Sequence, residues 1–245
     1  MDAAYWNAKA GVYEEEIFNV WLRDLDGVLR KFFDDESFRL KTVIDCGCGI
    51  GHGIPTLSKC FKNVYAVDIS RECLAVSRER YGSLPNVEFR FEDLARPRAG
   101  LPAADCIVSV NVLIMPSLSA RLKILKVMRA CLKSNGRMVL VVPSLESYYY
   151  AAYKLTEWKL REEVLGRSGF SSGAFQKGHG VVPIDGVMTK HYLKEELLSF
   201  LKLVGFEVLG IQKIRYGWET EYEDPPKWMQ APYPWDWMVV AKQQK

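Results

Sequence analysis

Residues 42–51 read TVIDCGCGIG, and no other stretch limits the fold so closely. An apolar run, Thr42-Val43-Ile44, ends in Asp45, and Gly47, Gly49 and Gly51 follow at alternate positions. A second apolar run, Val64-Tyr65-Ala66-Val67, ends in Asp68. A strand, a glycine turn, a helix and a second strand tipped with an acid make a nucleoside-binding βαβ unit. The glycines let the backbone turn tightly and lie against a ligand where a Cβ would collide. The acid on the second strand is placed to accept hydrogen bonds from ribose hydroxyls.

The spacing separates nucleoside classes. A dinucleotide loop needs G-x-G-x-x-G, with a helix N-terminus against a pyrophosphate. Counted from Gly47, the third glycine falls on His52, and counted from Gly49 it falls on Ile54. Neither register fits. The run Asp45-x-Gly47-x-Gly49-x-Gly51, paired with Asp68 and a further acid near 93, resembles the first motifs of the class I, Rossmann-like S-adenosylmethionine-dependent methyltransferases. The likeness runs from about residue 40 to 142 and resumes near 190.

The resemblance implies an α/β fold: a seven-stranded, mostly parallel, doubly wound sheet with an N-terminal helical cap and a substrate-side insertion. Strands are expected at 42–45, 63–68, 86–91, 105–110, 137–142, 206–214 and 236–241, with the last two pairing antiparallel at an edge. Helical patterns lie near 54–60, 71–81, 119–133 and 194–204. Ser70 reads as the N-cap of the second of these. Lys133–Gly136 reads as a helix stop with Gly136 left-handed. Residues 5–33 read as one or two helices. The whole is one domain: a cap over 1–40, a cofactor half over 41–143, an inserted cap over 144–188 and a C-terminal part of the sheet over 189–245.

The implied cofactor is S-adenosyl-L-methionine. Carried over residue by residue, the resemblance gives Asp45, Gly47, Cys48, Gly49 and Gly51 around its methionine end. It gives Asp68 at the ribose, Ile69 against the adenine, Glu92-Asp93-Leu94 at the adenine amino group with Asp93 preferred, and Asn111 beside the methyl group. His52 either faces the cofactor carboxylate or lies in solvent at the helix start. The segment after the fourth strand reads Val112-Leu113-Ile114-Met115 and lacks the histidine frequent there in the family. It also lacks the runs of the amide N- and cytosine C5-methylating branches.

A base is needed only if the nucleophile arrives protonated. His179 and His191 are the candidates. Tyr149, Tyr153 and Trp218 stand for the aromatics of two insertions, 144–188 and 215–235, that could wall an acceptor pocket or instead pack as a mini-core. The glycine-rich run 168–186 reads as a lid, with an ordinary surface loop as the alternative.

Composition narrows the rest. Six scattered cysteines suit a reducing, cytoplasmic setting rather than a disulfide framework, and Cys46-x-Cys48 reads as small loop residues, so no metal is expected. No apolar run reaches a membrane span, and the N-terminus has no secretory pattern. The net charge of +3 is mild, and residues 151–190 balance six bases against four acids, which disfavours nucleic acid as a partner. The expectation is therefore transfer of a methyl group to an N, O or C atom of a small molecule. The alternatives are an RNA or protein methyltransferase, and a cofactor-binding regulatory protein without catalysis.

Overall fold

The computed structural model describes residues 1–96, 100–164 and 180–244, and the side chains of the long helix only in part beyond residue 152. The N-terminal cap is α1 (Ala3–Lys9), α2 (Tyr13–Glu16), α3 (Val20–Arg23) and α4 (Val28–Phe33). Four short helices replace the one or two expected. Asn19 caps a fresh start by accepting from Leu22 N–H, the Asp24 carboxylate accepts from Leu29 N–H, and Gly27 turns left-handed at φ +63°. Such polar caps compete with helix continuation.

The sheet follows with β1 (Thr42–Cys46), α5 (Ile54–Cys60), β2 (Asn63–Asp68), α6 (Arg71–Tyr81), β3 (Val87–Phe91), β4 (Ala104–Val110), α7 (Leu118–Cys131) and β5 (Leu132–Pro143). Then come α8 (Leu145–Val164), β6 (Val181–Ile184), β7 (Val187–Lys190), α9 (Lys194–Leu203), β8 (Phe206–Arg215) and β9 (Trp235–Gln243). Seven strands make one sheet in the order β3-β2-β1-β4-β5-β9-β8. All pair parallel except β9, which runs antiparallel to both β5 and β8. Val43 to Cys46 are buried without alternation, as expected of a strand covered on both faces.

One face packs Ile44, Ile107, Leu125, Met128, Leu197 and Val239, and the other packs Val43, Leu57, Val108 and Val141 against Leu29, Phe33 and Phe38 of the cap. The cap is therefore part of the core. It is also tied to the far edge of the sheet, where Leu25 N–H donates to Arg215 O and the Arg215 guanidinium grips both Asp26 oxygens at 2.8 and 2.9 Å.

Two local expectations fail. Gly136 is not left-handed; α7 ends at Cys131 with Leu132 already extended, and the chain enters β5 directly. A Cβ on Gly136 would stand 2.7 Å from Leu132 Cδ1, so close packing explains this glycine. The end of the 168–186 run is not an open loop: β6 and β7 form a hairpin about Asp185 and Gly186, both at positive φ. An Asp-Gly pair between β-branched residues is a type I′ hairpin signal, which the glycine count obscured. The first part of the lid reading, with His179, lies outside the described residues.

Candidate active site

The chain runs outward from β1 to β3, then returns to the other side of β1 for β4. Ligands of open α/β sheets sit beyond the carboxyl ends of the strands at such a reversal. Here the glycine loop follows β1 and Asn111 follows β4. Gly47, Gly49 and Gly51 have φ of +77°, +54° and +92°, a region that side chains disfavour. Gly47 and Cys48 N–H donate to Val67 O, while Gly49 N–H donates to Asp68 Oδ2 at 2.8 Å. Asp68 Oδ1 accepts from Ser70 N–H, and Ser70 Oγ caps α6 by accepting from Cys73 N–H. Asp68 thus staples the loop to β2 while each oxygen keeps a free lone pair.

Asp45 is 4% exposed and Asp68 8%. Burial, with Asp68 adding to it, pushes the Asp45 carboxyl up to about 7, and burial raises Asp68 against the pull of its backbone donors. Two buried acids face one loop, where a cation would relieve both.

The cap roofs this loop. A Cβ on Gly49 would stand 2.5 Å from Tyr13 Oη, and one on Gly53 would stand 2.8 Å from Trp21 and 3.2 Å from Asp45 Oδ2. Burial, then Asp68, pushes the Tyr13 phenol well up, so it stays a neutral donor. Trp21 falls at helical spacing in the sequence and Tyr13 does not, and neither position tells of a place on the loop.

The other expected residues divide. Cys48 is buried in the loop, Ile69 is half-buried beyond β2, and Leu94 belongs to the core. Glu92 N–H continues the β2 pairing through Asp68 O. Asp93 folds its own turn, accepting from Ala95 N–H and pairing with Arg96. Asn111 stands at φ +54° beyond β4, where its side chain helps to hold the Asp236 carboxyl down against burial. His52 pairs with Glu14 of the cap at 3.0 Å. His191 packs on Tyr148 against the α8 side, and burial lowers it to about 4, which makes it a weak base. Tyr149 is 38% exposed, and the Tyr153 side chain lies outside the description. Trp218 follows the mini-core alternative. It is 2% exposed, stacks on Tyr222 and donates from Nε1 to Gln230 O.

The fold and the loop define an α/β protein of the class I methyltransferase type. The methyltransferase domain model matches residues 43–136. DhpI, solved with S-adenosylhomocysteine, superposes with a TM-score of 0.66 at 16% identity, covering 99% of this chain and 95% of that one. The Burkholderia thailandensis 1,6-didemethyltoxoflavin-N1-methyltransferase superposes at 0.63 with 15% identity over 99% and 87%. A ribosomal RNA small subunit methyltransferase A of Thermotoga petrophila is 30% identical over 111 residues, 44% of this chain. The match spans 43% of that relative, so the likeness covers less than half the length of the curated protein. Residues 43–136 match a methyltransferase domain, and the chain has the fold of the class I, Rossmann-like methyltransferases, whose cofactor is S-adenosylmethionine.

The residues fit that cofactor. The backbone cradle is open only to glycine, buried Asp45 suits the ammonium of a methionine moiety, and Asp68 has lone pairs left for ribose hydroxyls. Asp68→Ala removes the staple on Gly49 and, if Asp68 holds the ribose, up to two charge-assisted bonds worth about 1.5–3 kcal/mol each. Titration with S-adenosylhomocysteine is expected to weaken by at least about tenfold. An unchanged isotherm would mean that Asp68 serves only to shape the loop.

Proposed function

We propose that this protein transfers the methyl group of S-adenosylmethionine to a small-molecule acceptor. The bound cofactor supplies a methyl group already activated on a sulfonium. The chain's own task is to hold the acceptor in line and keep water out. The observation that carries the small-molecule reading is the character of the cleft's acceptor end. Asp236 is buried on β9 and accepts from Tyr216 Oη at 2.7 Å, and the cap's Phe18 stands 4.7 Å from the Tyr216 ring. An aromatic and acidic surface there suits a compact ligand and repels a polyphosphate chain. The Burkholderia thailandensis neighbour is, by its name, a 1,6-didemethyltoxoflavin-N1-methyltransferase.

An RNA acceptor is the second reading, favoured by the curated relatives. Their likeness spans less than half of this chain. Among the described residues no helix is long and apolar enough to cross a membrane.

Melting curves test the cofactor half. S-adenosylhomocysteine at about a hundred times its dissociation constant is expected to stabilise the fold by roughly 2.7 kcal/mol. A melting point moved by NADH and not by S-adenosylhomocysteine would overturn the reading. Methyl transfer from labelled cofactor to a small-molecule extract, and not to RNA, separates the two acceptors.

A further inference from the structure

Four consecutive backbone carbonyls beyond β4 are held by donors from outside their own loop. Tyr192 Oη donates to Leu113 O at 2.7 Å, and Lys190 N–H donates to Ile114 O at 2.7 Å. The Arg121 guanidinium on α7 donates to Met115 O at 2.6 Å and to Pro116 O at 2.8 Å. Loops ordinarily run over the surface, where water satisfies their carbonyls. Here Leu113, Arg121, Lys190 and Tyr192 are all buried, so the protein itself fixes each carbonyl.

Lys190 and Tyr192 lie at the root of the β6–β7 hairpin, and the same stretch is tied to the end of β5. Tyr192 N–H donates to Pro143 O at 2.9 Å, and Leu145 N–H donates to Tyr192 O at 3.1 Å. His191 N–H donates to Gly180 O at 2.7 Å and closes the hairpin. Residues 190–192 thus stitch the segment leaving β4 to the one leaving β5. The donors are fixed in their turn. Lys190 Nζ donates to both Glu196 oxygens at 2.6 and 2.7 Å, and the Lys190 and Arg121 cations stand 4.8 and 5.9 Å from the centre of the Tyr192 ring. Burial pushes the Tyr192 phenol up, so its O–H remains a donor.

The gripped loop starts at the cofactor turn. Asn111, at its head, is left-handed at φ +54°, a conformation that a non-glycine residue keeps where its surroundings over-determine it. Val112 fills the space over Gly47, where an added Cβ would stand 2.3 Å from Val112 Cγ2. Leu113 follows with the first of the gripped carbonyls. The path from the hairpin root to the glycine turn therefore runs through Leu113 and Val112 alone.

We propose that Tyr192 and Arg121 are positioning residues for methyl transfer: they clamp residues 113–116, hold Val112 against the glycine turn and so join the β6–β7 hairpin to the cofactor. The inference holds for whichever acceptor the site takes. A loop already fixed in its binding form loses less freedom when the cofactor arrives. Releasing one clamp raises that cost while leaving the glycine loop itself unaltered.

Titration calorimetry with S-adenosylhomocysteine tests this. Tyr192→Phe keeps the ring and removes only the O–H. It is expected to weaken binding by about tenfold, within the range of couplings carried through packed networks. Arg121→Lys keeps the charge but gives up the planar fork that spans two carbonyls, and is expected to weaken binding by about fivefold. Leu201→Val, a buried change in the same core, is the control. It is expected to lower the urea midpoint and leave the affinity unchanged. Val112→Ala is expected to weaken binding by itself but to add less than about twofold in the Tyr192→Phe background, because both release the same contact. Unchanged affinity in either clamp variant that folds would reduce the clamp to a fold-stabilising contact and overturn the inference. Losses at Tyr192 and Val112 that multiply in full would overturn it too. A parent protein that does not bind S-adenosylhomocysteine would overturn the methyl-transfer reading as well.

Discussion

Gly47→Val is expected to lose cofactor binding and about 2–5 kcal/mol of stability. Two costs add. A non-glycine residue at φ +77° carries roughly 1–2 kcal/mol of backbone strain. Its Cβ would also stand 2.3 Å from Val112 Cγ2, and overpacking of this kind costs about 1–3 kcal/mol. The loop cannot relax cheaply, because Gly47 N–H is held by Val67 O at 2.7 Å and the next residues by Val67 O and Asp68. Gly186→Val is the control: φ is +79°, but nothing lies within 4 Å of the added Cβ. Urea unfolding of the two variants isolates the steric cost. Equal losses would show that only backbone strain matters at Gly47, and that Val112 yields.

Asp45→Asn is expected to stabilise the ligand-free protein at pH 8 while weakening its hold on S-adenosylhomocysteine. Burial, then Asp68, raises the folded carboxyl to about 7 from an ordinary value of 3.8. Between these values the folded state holds a proton that the unfolded state has lost. Stability from this group therefore falls as pH rises from about 4 to about 7, and is lowest above 7. At 1.36 kcal/mol per pH unit the span is on the order of 4 kcal/mol at most. The variant lacks this titration, so its advantage over the parent should shrink as pH falls from 8 to 4. Comparing the two at each pH cancels the surface acids Glu14 and Asp26, whose carboxyls are held low by Arg80 and Arg215 and slope the other way. A difference that does not change with pH would mean that Asp45 is ionised throughout. A gain in stability with a loss of affinity is the pattern of a functional site kept under strain.

The amino-acid sequence alone determined the cofactor half of this fold. The burial of β1, the glycine turn, the acid tips at Asp45 and Asp68 and the Ser70 cap are all local, each set by the conformation or burial of a few neighbouring residues. Helices α5 and α6 and strand β2 have the bounds that periodicity and capping imply, and the antiparallel edge follows from two strands joined without a helix. The Asp185-Gly186 turn was equally local, and was hidden only by the glycines around it. Tertiary structure decided the acceptor side. Asp236 meets Tyr216 only because β9 inserts between β5 and β8, and Tyr13 and Trp21 reach the glycine loop only because Phe33 and Phe38 bury the cap in the core. The raised carboxyls of Asp45 and Asp236 have the same origin. Desolvation depends on everything that packs around a group, and no spacing along the chain encodes it.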